Sequence, residues 1–254
     1  TPSAGLILLG FLRRFLIPAI GWTLSVSAAR ALDRPLHVWG VVACLAGVHA
    51  AYVFDALADS GRLRRLLRDP RLIDLVLCGL AMGAAVLADP TLVPPIALLS
   101  LLGVGYVPLK RVIPKNLLTA TSWVLCVLTL SLHHRSLDAP ILCYGLALLL
   151  ILLANANLCD LPDVAADRRN RVLGLTPVLG PAIASRVAGL LAAIGCAAAL
   201  SLGAWPIAVP GTLFTVIGFS GGLGFAAHPE RRWILDAALV TAGPLSFVDA
   251  WLRG

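Results

Sequence analysis

Two aspartate pairs carry the most chemistry in this chain. Asp55 and Asp59 close the run YVFDALAD, and Asp163 and Asp167 close the run DLPDVAAD, 108 residues further on. Each pair sits at the end of a long apolar stretch and is followed by arginines: Arg62, Arg64, Arg65 and Arg68 after the first, Arg168, Arg169 and Arg171 after the second. Carboxylates at a membrane edge are costly, and like charges at helical spacing repel one another. Something positive must offset them. Mg²⁺ is the hard cation suited to carboxylate and phosphate oxygens, so two facing carboxylate clusters would hold such an ion, and the ion would hold a diphosphate.

Helical spacing sets how these groups are presented. His49, Tyr52, Asp55 and Asp59 fall on one helical stripe, and Asn157, Asp160, Asp163 and Asp167 on another. Pro162 interrupts the second stripe: it lacks a backbone donor, so a break is expected there, with Asp163 opening a new short helix. A third constellation lies in GYVPLKRVIPKN, with Tyr106, Lys110, Arg111 and Lys115. Part of this charge is a membrane flank. Lys110 also suits a phosphate as a point charge, with Tyr106 donating from the same face four residues earlier. Asp33, Asp69 and Asp138 read as solvated loop residues, and Asp236 is a candidate to reach the site from the last span.

The elements that must position these residues are apolar helices. Hydrophobic residues make up 59% of the chain and charged ones 13%, against about 25% charged in a soluble domain. That balance points to an all-α, polytopic membrane protein. Apolar runs of spanning length number nine, at about 14–32, 36–58, 72–88, 91–109, 116–132, 140–158, 179–202, 207–227 and 233–252. The opening GLILLGFL is too short to span and is expected to lie along the surface. Of the 20 Lys and Arg residues, 15 fall on one side of this topology. The positive-inside rule then places the N-terminus and both aspartate clusters in the cytoplasm and the C-terminus outside. The net charge of +7 records that topology, and no basic and aromatic platform for bases is present, so nucleic acid is excluded as a partner. Six cysteines stand singly in apolar helices, with no CxxC or other metal-ligand spacing, and read as free thiols. The glycines of GFSGGLGF read as helix-packing residues.

The run DLPDVAADRRNRVLGLTPVLG resembles the D-x-x-D-V-x-x-D-R motif, followed by a Gly/Thr-Pro segment, of the UbiA superfamily of intramembrane prenyltransferases. YVPLKRVIPKNLLTATSW is similar to the family's segment after the fourth span, with its Tyr-x-x-x-Lys, and the first aspartate motif also falls where the family has one. Two departures stand out. Ala51 and Tyr52 occupy the positions of the Asn and first Asp of the family's N-D-x-x-D-x-x-x-D, so only Asp55 and Asp59 carry over. Arg171 stands where a glycine is common.

The resemblance implies that residues 1–254 form a single UbiA-like transmembrane domain. Nine helices would make one bundle around a cytoplasm-facing cavity, with an internal duplication matching the 108-residue spacing. It implies Mg²⁺-dependent transfer of an isoprenyl group from a prenyl diphosphate to a lipophilic or aromatic acceptor, among the lipids of a prokaryotic plasma membrane. Asp55, Asp59, Asp163 and Asp167 would bind metal with Asp160 in support. Lys110 and Tyr106, with Arg64, Arg65 and Arg68, would grip the diphosphate, and Tyr52 and Asn157 would meet the substrate. Intramembrane terpene cyclisation and a non-catalytic membrane carrier are the alternatives.

Overall fold

Runs of leucine and alanine uninterrupted by strand-forming patterns favour helix over strand. The computed structural model describes residues 4–59, 67–132, 138–222, 224 and 232–253, and among these no strand occurs. The helices are α1 (Ala4–Ala31), α2 (Val38–Asp59), α3 (Arg71–Ala88), α4 (Val93–Leu109), α5 (Lys115–Leu125), α6 (Ala139–Cys159), α7 (Val164–Arg169), α8 (Leu175–Leu179), α9 (Pro181–Ser201), α10 (Trp205–Phe219), α11 (Arg232–Val240) and α12 (Ala242–Arg253). GLILLGFL is not a separate surface segment: it forms the first turns of α1, which runs on without interruption through Pro18.

Six stretches are long and apolar enough to cross a membrane: Val38–Ala58, Arg71–Ala88, Pro90–Leu109, Ala139–Cys159, Pro181–Ser201 and Arg232–Leu252. They coincide with six of the nine expected spans. The other three coincide with shorter elements: the apolar part of α1 at Phe15–Ala31, α10, and α5 with its continuation. That continuation is a π-helical turn, Cys126–Ser131, against which the start of α2 is pressed. His37 N–H donates to the Ser131 carbonyl at 2.9 Å, and Gly40 lies so close to the Leu130 carbonyl that a Cβ there would overlap it.

The core is built around α6, which packs on α5 and α9, while α9 packs on α10. Tyr144, Leu148, Ile151 and Leu158 of α6 are almost wholly buried. The facing stripe of α9 is small, with Ala184, Ala188, Ala192 and Ala199 fully buried. Small residues let helix backbones approach closely where lipid supplies no hydrophobic drive. α9 and α10 come close at Gly218 of α10, where a Cβ would collide with the backbone of Gly189, and Ser185 Oγ donates to the Gly218 carbonyl at 2.9 Å. By contrast, Leu77, Leu80 and Leu87 of α3 and Leu98, Leu101 and Val104 of α4 face outward. All six cysteines are free, and Cys143 is the exposed one.

At the end of the bundle where α2 and α6 begin, polar side-chain contacts fasten neighbouring elements. Arg34 meets Asp138 at 2.5 Å and His37 Nε2 meets Asp89 at 3.1 Å. Asp138 also caps α6 by accepting from Ile141 N–H at 3.1 Å. Gly218→Val is expected to force α9 and α10 apart and to cost about 1–3 kcal/mol through overpacking, read as a lower thermal midpoint of the detergent-solubilised protein. An unchanged midpoint would show that the close approach contributes no stability.

Candidate active site at one end of the bundle

The opposite end of the bundle gathers the C-termini of α2, α4 and α6 and the N-termini of α5 and α11. There the loop from Lys110 to Lys115 supplies cations to both aspartate clusters. Lys110 Nζ lies 2.8 Å from Asp55 Oδ1. Lys115 Nζ lies 3.0 Å from Asp160 Oδ1 and 2.6 Å from Asp167 Oδ2. Asn116 Nδ2 donates to the other oxygen of Asp160 at 2.6 Å. The loop is pinned from the second half of the chain by a two-way backbone pair: Leu173 N–H donates to Lys110 O at 2.8 Å, and Lys115 N–H donates to Leu173 O at 2.8 Å.

Pro162 breaks the second stripe as its missing N–H requires. α6 stops at Cys159, Leu161–Asp163 forms a single 3-10 turn, and α7 begins at Val164. The four residues expected on one stripe therefore separate. Asp160 and Asp167 converge on Lys115, and Asp163 turns to Arg232 Nη2 at 2.6 Å. Asn157 stays inside its own helix, its Nδ2 donating to Leu153 O at 2.7 Å. Asp236 of α11 joins the periphery by accepting from Cys159 Sγ at 3.8 Å.

Two cavities meet at the Asp55–Lys110 pair. The first, about 270 Å³, lies among α2, α3, α4 and α5, is largely apolar, and has Tyr52, Asp55, Tyr106, Thr119 and Trp123 in its wall. Its space is kept open by small residues, Gly47, Ala51 and Gly103 among them. The second, about 640 Å³, is lined by Lys110, Arg111, Arg169, Asn170 and Arg171 with Ala58, Val107 and Val172. Asp55 belongs to the apolar cavity and Lys110 to the basic one.

Ala51 and Tyr52, which stand where the resembled motif has Asn and Asp, both line the apolar cavity. Tyr52 OH accepts from Trp123 Nε1 at 3.3 Å, and the two rings lie 6.5 Å apart. Tyr106 lines the same cavity, its hydroxyl 3.4 Å from Thr119 Oγ1, while Lys110 Nζ sits 5.5 Å from the centre of its ring. The structure thus brings together Tyr52, Asp55, Tyr106 and Lys110, and separately Asp160 and Asp167. Arg68 is exposed. Arg64, Arg65 and the side chain of Asp59 lie outside the described residues.

Sequence reasoning did not assign Arg169 and Arg171 to a binding cavity, because their charge has the same signature as any cytoplasmic flank. Arg232 read only as one more flanking charge, its partner being 69 residues earlier.

The Mg²⁺ expected from the carboxylates can be tested against this geometry. Mg²⁺ needs oxygen ligands at about 2.0–2.1 Å in near-octahedral array. Among the described residues no group of three or more His, Cys, Asp or Glu side chains is gathered to hold a metal ion. Asp55, Asp160, Asp163 and Asp167 each face an ammonium or guanidinium group at 2.6–3.0 Å. As arranged, these side chains do not fit a divalent metal centre.

Burial pushes the Asp160 carboxyl up from its ordinary 3.8 to about 6, the nearby Lys115 working in the opposite direction. Burial also works against the charge on Lys115, but Asp160 and Asp167 more than offset it and hold that ammonium above its ordinary value. An acid raised in the folded state contributes stability that is full below its unfolded value and lost as pH rises through its folded one. The difference in thermal midpoint between the native protein and Asp160→Asn is therefore expected to fall as pH rises through about 6. A flat or rising difference in a pH series would show that burial does not dominate this carboxyl.

No protein-family model matches the chain, and no curated protein matches it. Among solved structures, the apo structure of a UbiA homolog from Aeropyrum pernix K1 superposes with a TM-score of 0.64 at 15% sequence identity, covering 91% of this chain and 98% of that one. Since nearly the whole of both chains is matched, the helices described above share one arrangement with that protein, and the chain has the UbiA fold.

Proposed function

We infer that the chain is an intramembrane prenyltransferase of the UbiA superfamily. The observation that carries this reading is the meeting of an apolar cavity and a basic cavity at one ion pair, Asp55–Lys110. An allylic diphosphate has those two chemistries joined at one C–O bond. Its tail matches the first cavity, and its diphosphate matches the cations of the second.

In this reading the diphosphate lies against Lys110, Arg111, Arg169 and Arg171. Fixed cations aimed at charge that develops on the leaving group lower the barrier to C–O cleavage most directly. Asp55 holds Lys110 at the junction, so its ammonium is in place before substrate arrives. The allylic cation left behind faces the rings of Tyr52, Tyr106 and Trp123, whose π faces stabilise positive charge. Apolar walls keep water from it, and the acceptor nucleophile then closes the new bond and gives up a proton. No step is routed through a bound metal, since the described carboxylates are engaged otherwise. The asymmetric placement of Lys and Arg favours the cytoplasmic side for this end of the bundle, in what we take to be a prokaryotic plasma membrane.

The test is pyrophosphate release from geranyl, farnesyl, geranylgeranyl and long polyprenyl diphosphates, with a membrane lipid extract as acceptor source and Mg²⁺ both present and absent. Release is expected with at least one donor, accompanied by a prenylated product. Lys110→Met is expected to lower kcat about 100-fold, as does loss of a group that stabilises transition-state charge. A cyclic hydrocarbon formed without acceptor would replace transfer by cyclisation. No release from folded protein with any donor would overturn the reading in favour of a carrier.

A further inference from the structure

We propose that Lys115 is the resident cation of the second carboxylate cluster, its ammonium taking the place between Asp160 and Asp167 that a divalent ion would otherwise need. The two carboxylates come from separate elements, the end of α6 and α7, yet both reach the same nitrogen, at 3.0 and 2.6 Å. The three side chains are only 13%, 17% and 11% exposed. The pairing is therefore enclosed and not a solvated surface contact of the kind that contributes little.

The position of Lys115 is unfavourable on local grounds alone. It is the first residue of α5, where the helix dipole disfavours a cation. A lysine held there needs compensation from elsewhere, and the two carboxylates provide it. Its backbone is also fixed, through the bond to Leu173 O at 2.8 Å, so the ammonium is delivered from an anchored root. Other side chains also engage the cluster. Asn116 takes the second oxygen of Asp160, and Asp163 faces Arg232. A divalent ion entering this cluster would have to expel the ammonium from between the two carboxylates. The negative charge of the cluster is thus partly offset by the chain itself, beside a cavity lined by Arg111, Arg169 and Arg171.

The inference does not depend on prenyl transfer, and its test uses metal alone. Mn²⁺ binding is measured by electron paramagnetic resonance on the full chain in lipid nanodiscs, without any diphosphate. The native protein and Asp167→Asn are expected to bind equal amounts of Mn²⁺ with equal affinity. Lys115→Met is expected to bind one ion more than the native protein, and the added ion is expected to vanish in Lys115→Met combined with Asp167→Asn. Native binding that falls on Asp167→Asn would overturn the proposal, as would a folded Lys115→Met protein that gains no ion. Should Lys115→Met not fold, the comparison of native protein with Asp167→Asn decides the matter by itself.

Discussion

A carboxylate drawn into the end of an apolar bundle must be met by a cation, and that requirement organises this molecule. Asp55, Asp160 and Asp167 come from three different helices, and all three are met by Lys110 and Lys115, the two ends of one short loop between α4 and α5. The loop is therefore more than a connection. It sets where α2 ends relative to α4, and where α6 and α7 end relative to α5. Removing one partner of such a pair strands an uncompensated charge, which is far more costly than the pair is stabilising. The geometry of the site and the stability of that end of the bundle thus depend on the same contacts.

The apolar cavity follows from a different constraint. Its walls come from α2 to α5, where Gly47, Ala51 and Gly103 leave room that larger side chains would fill. Tyr52 and Trp123, hydrogen-bonded to each other, give the same cavity an aromatic face. Where the resembled motif carries an amide and a carboxylate, this chain has Ala51 and Tyr52, both in the cavity wall.

Much of this was legible in the sequence. Apolar run lengths located the helices, because a bilayer leaves few other ways to satisfy a backbone. Pro162 marked the break after α6, because a missing donor acts locally. The aspartates stood out because charge is rare in such a chain. What was not legible was partnership. Lys115 with Asp160 and Asp167, and Arg232 with Asp163, depend on how distant helices are placed. The stripe of Asn157, Asp160, Asp163 and Asp167 was sound as helical arithmetic, but the break at Pro162 parts Asp163, on Arg232, from Asp160 and Asp167, on Lys115. The full count of spans was also less firm than hydropathy implied, since α5 passes into a π-helical turn and α10 is short.

Leu173 joins the loop after α4 to the segment after α7 through its own N–H and C=O. A seam sewn with main-chain atoms is indifferent to the alphabet of side chains, proline excepted. Lineages sharing such a seam are free to drift in letters while the architecture stays registered. A likeness of fold can then show in superposition where little likeness of sequence remains.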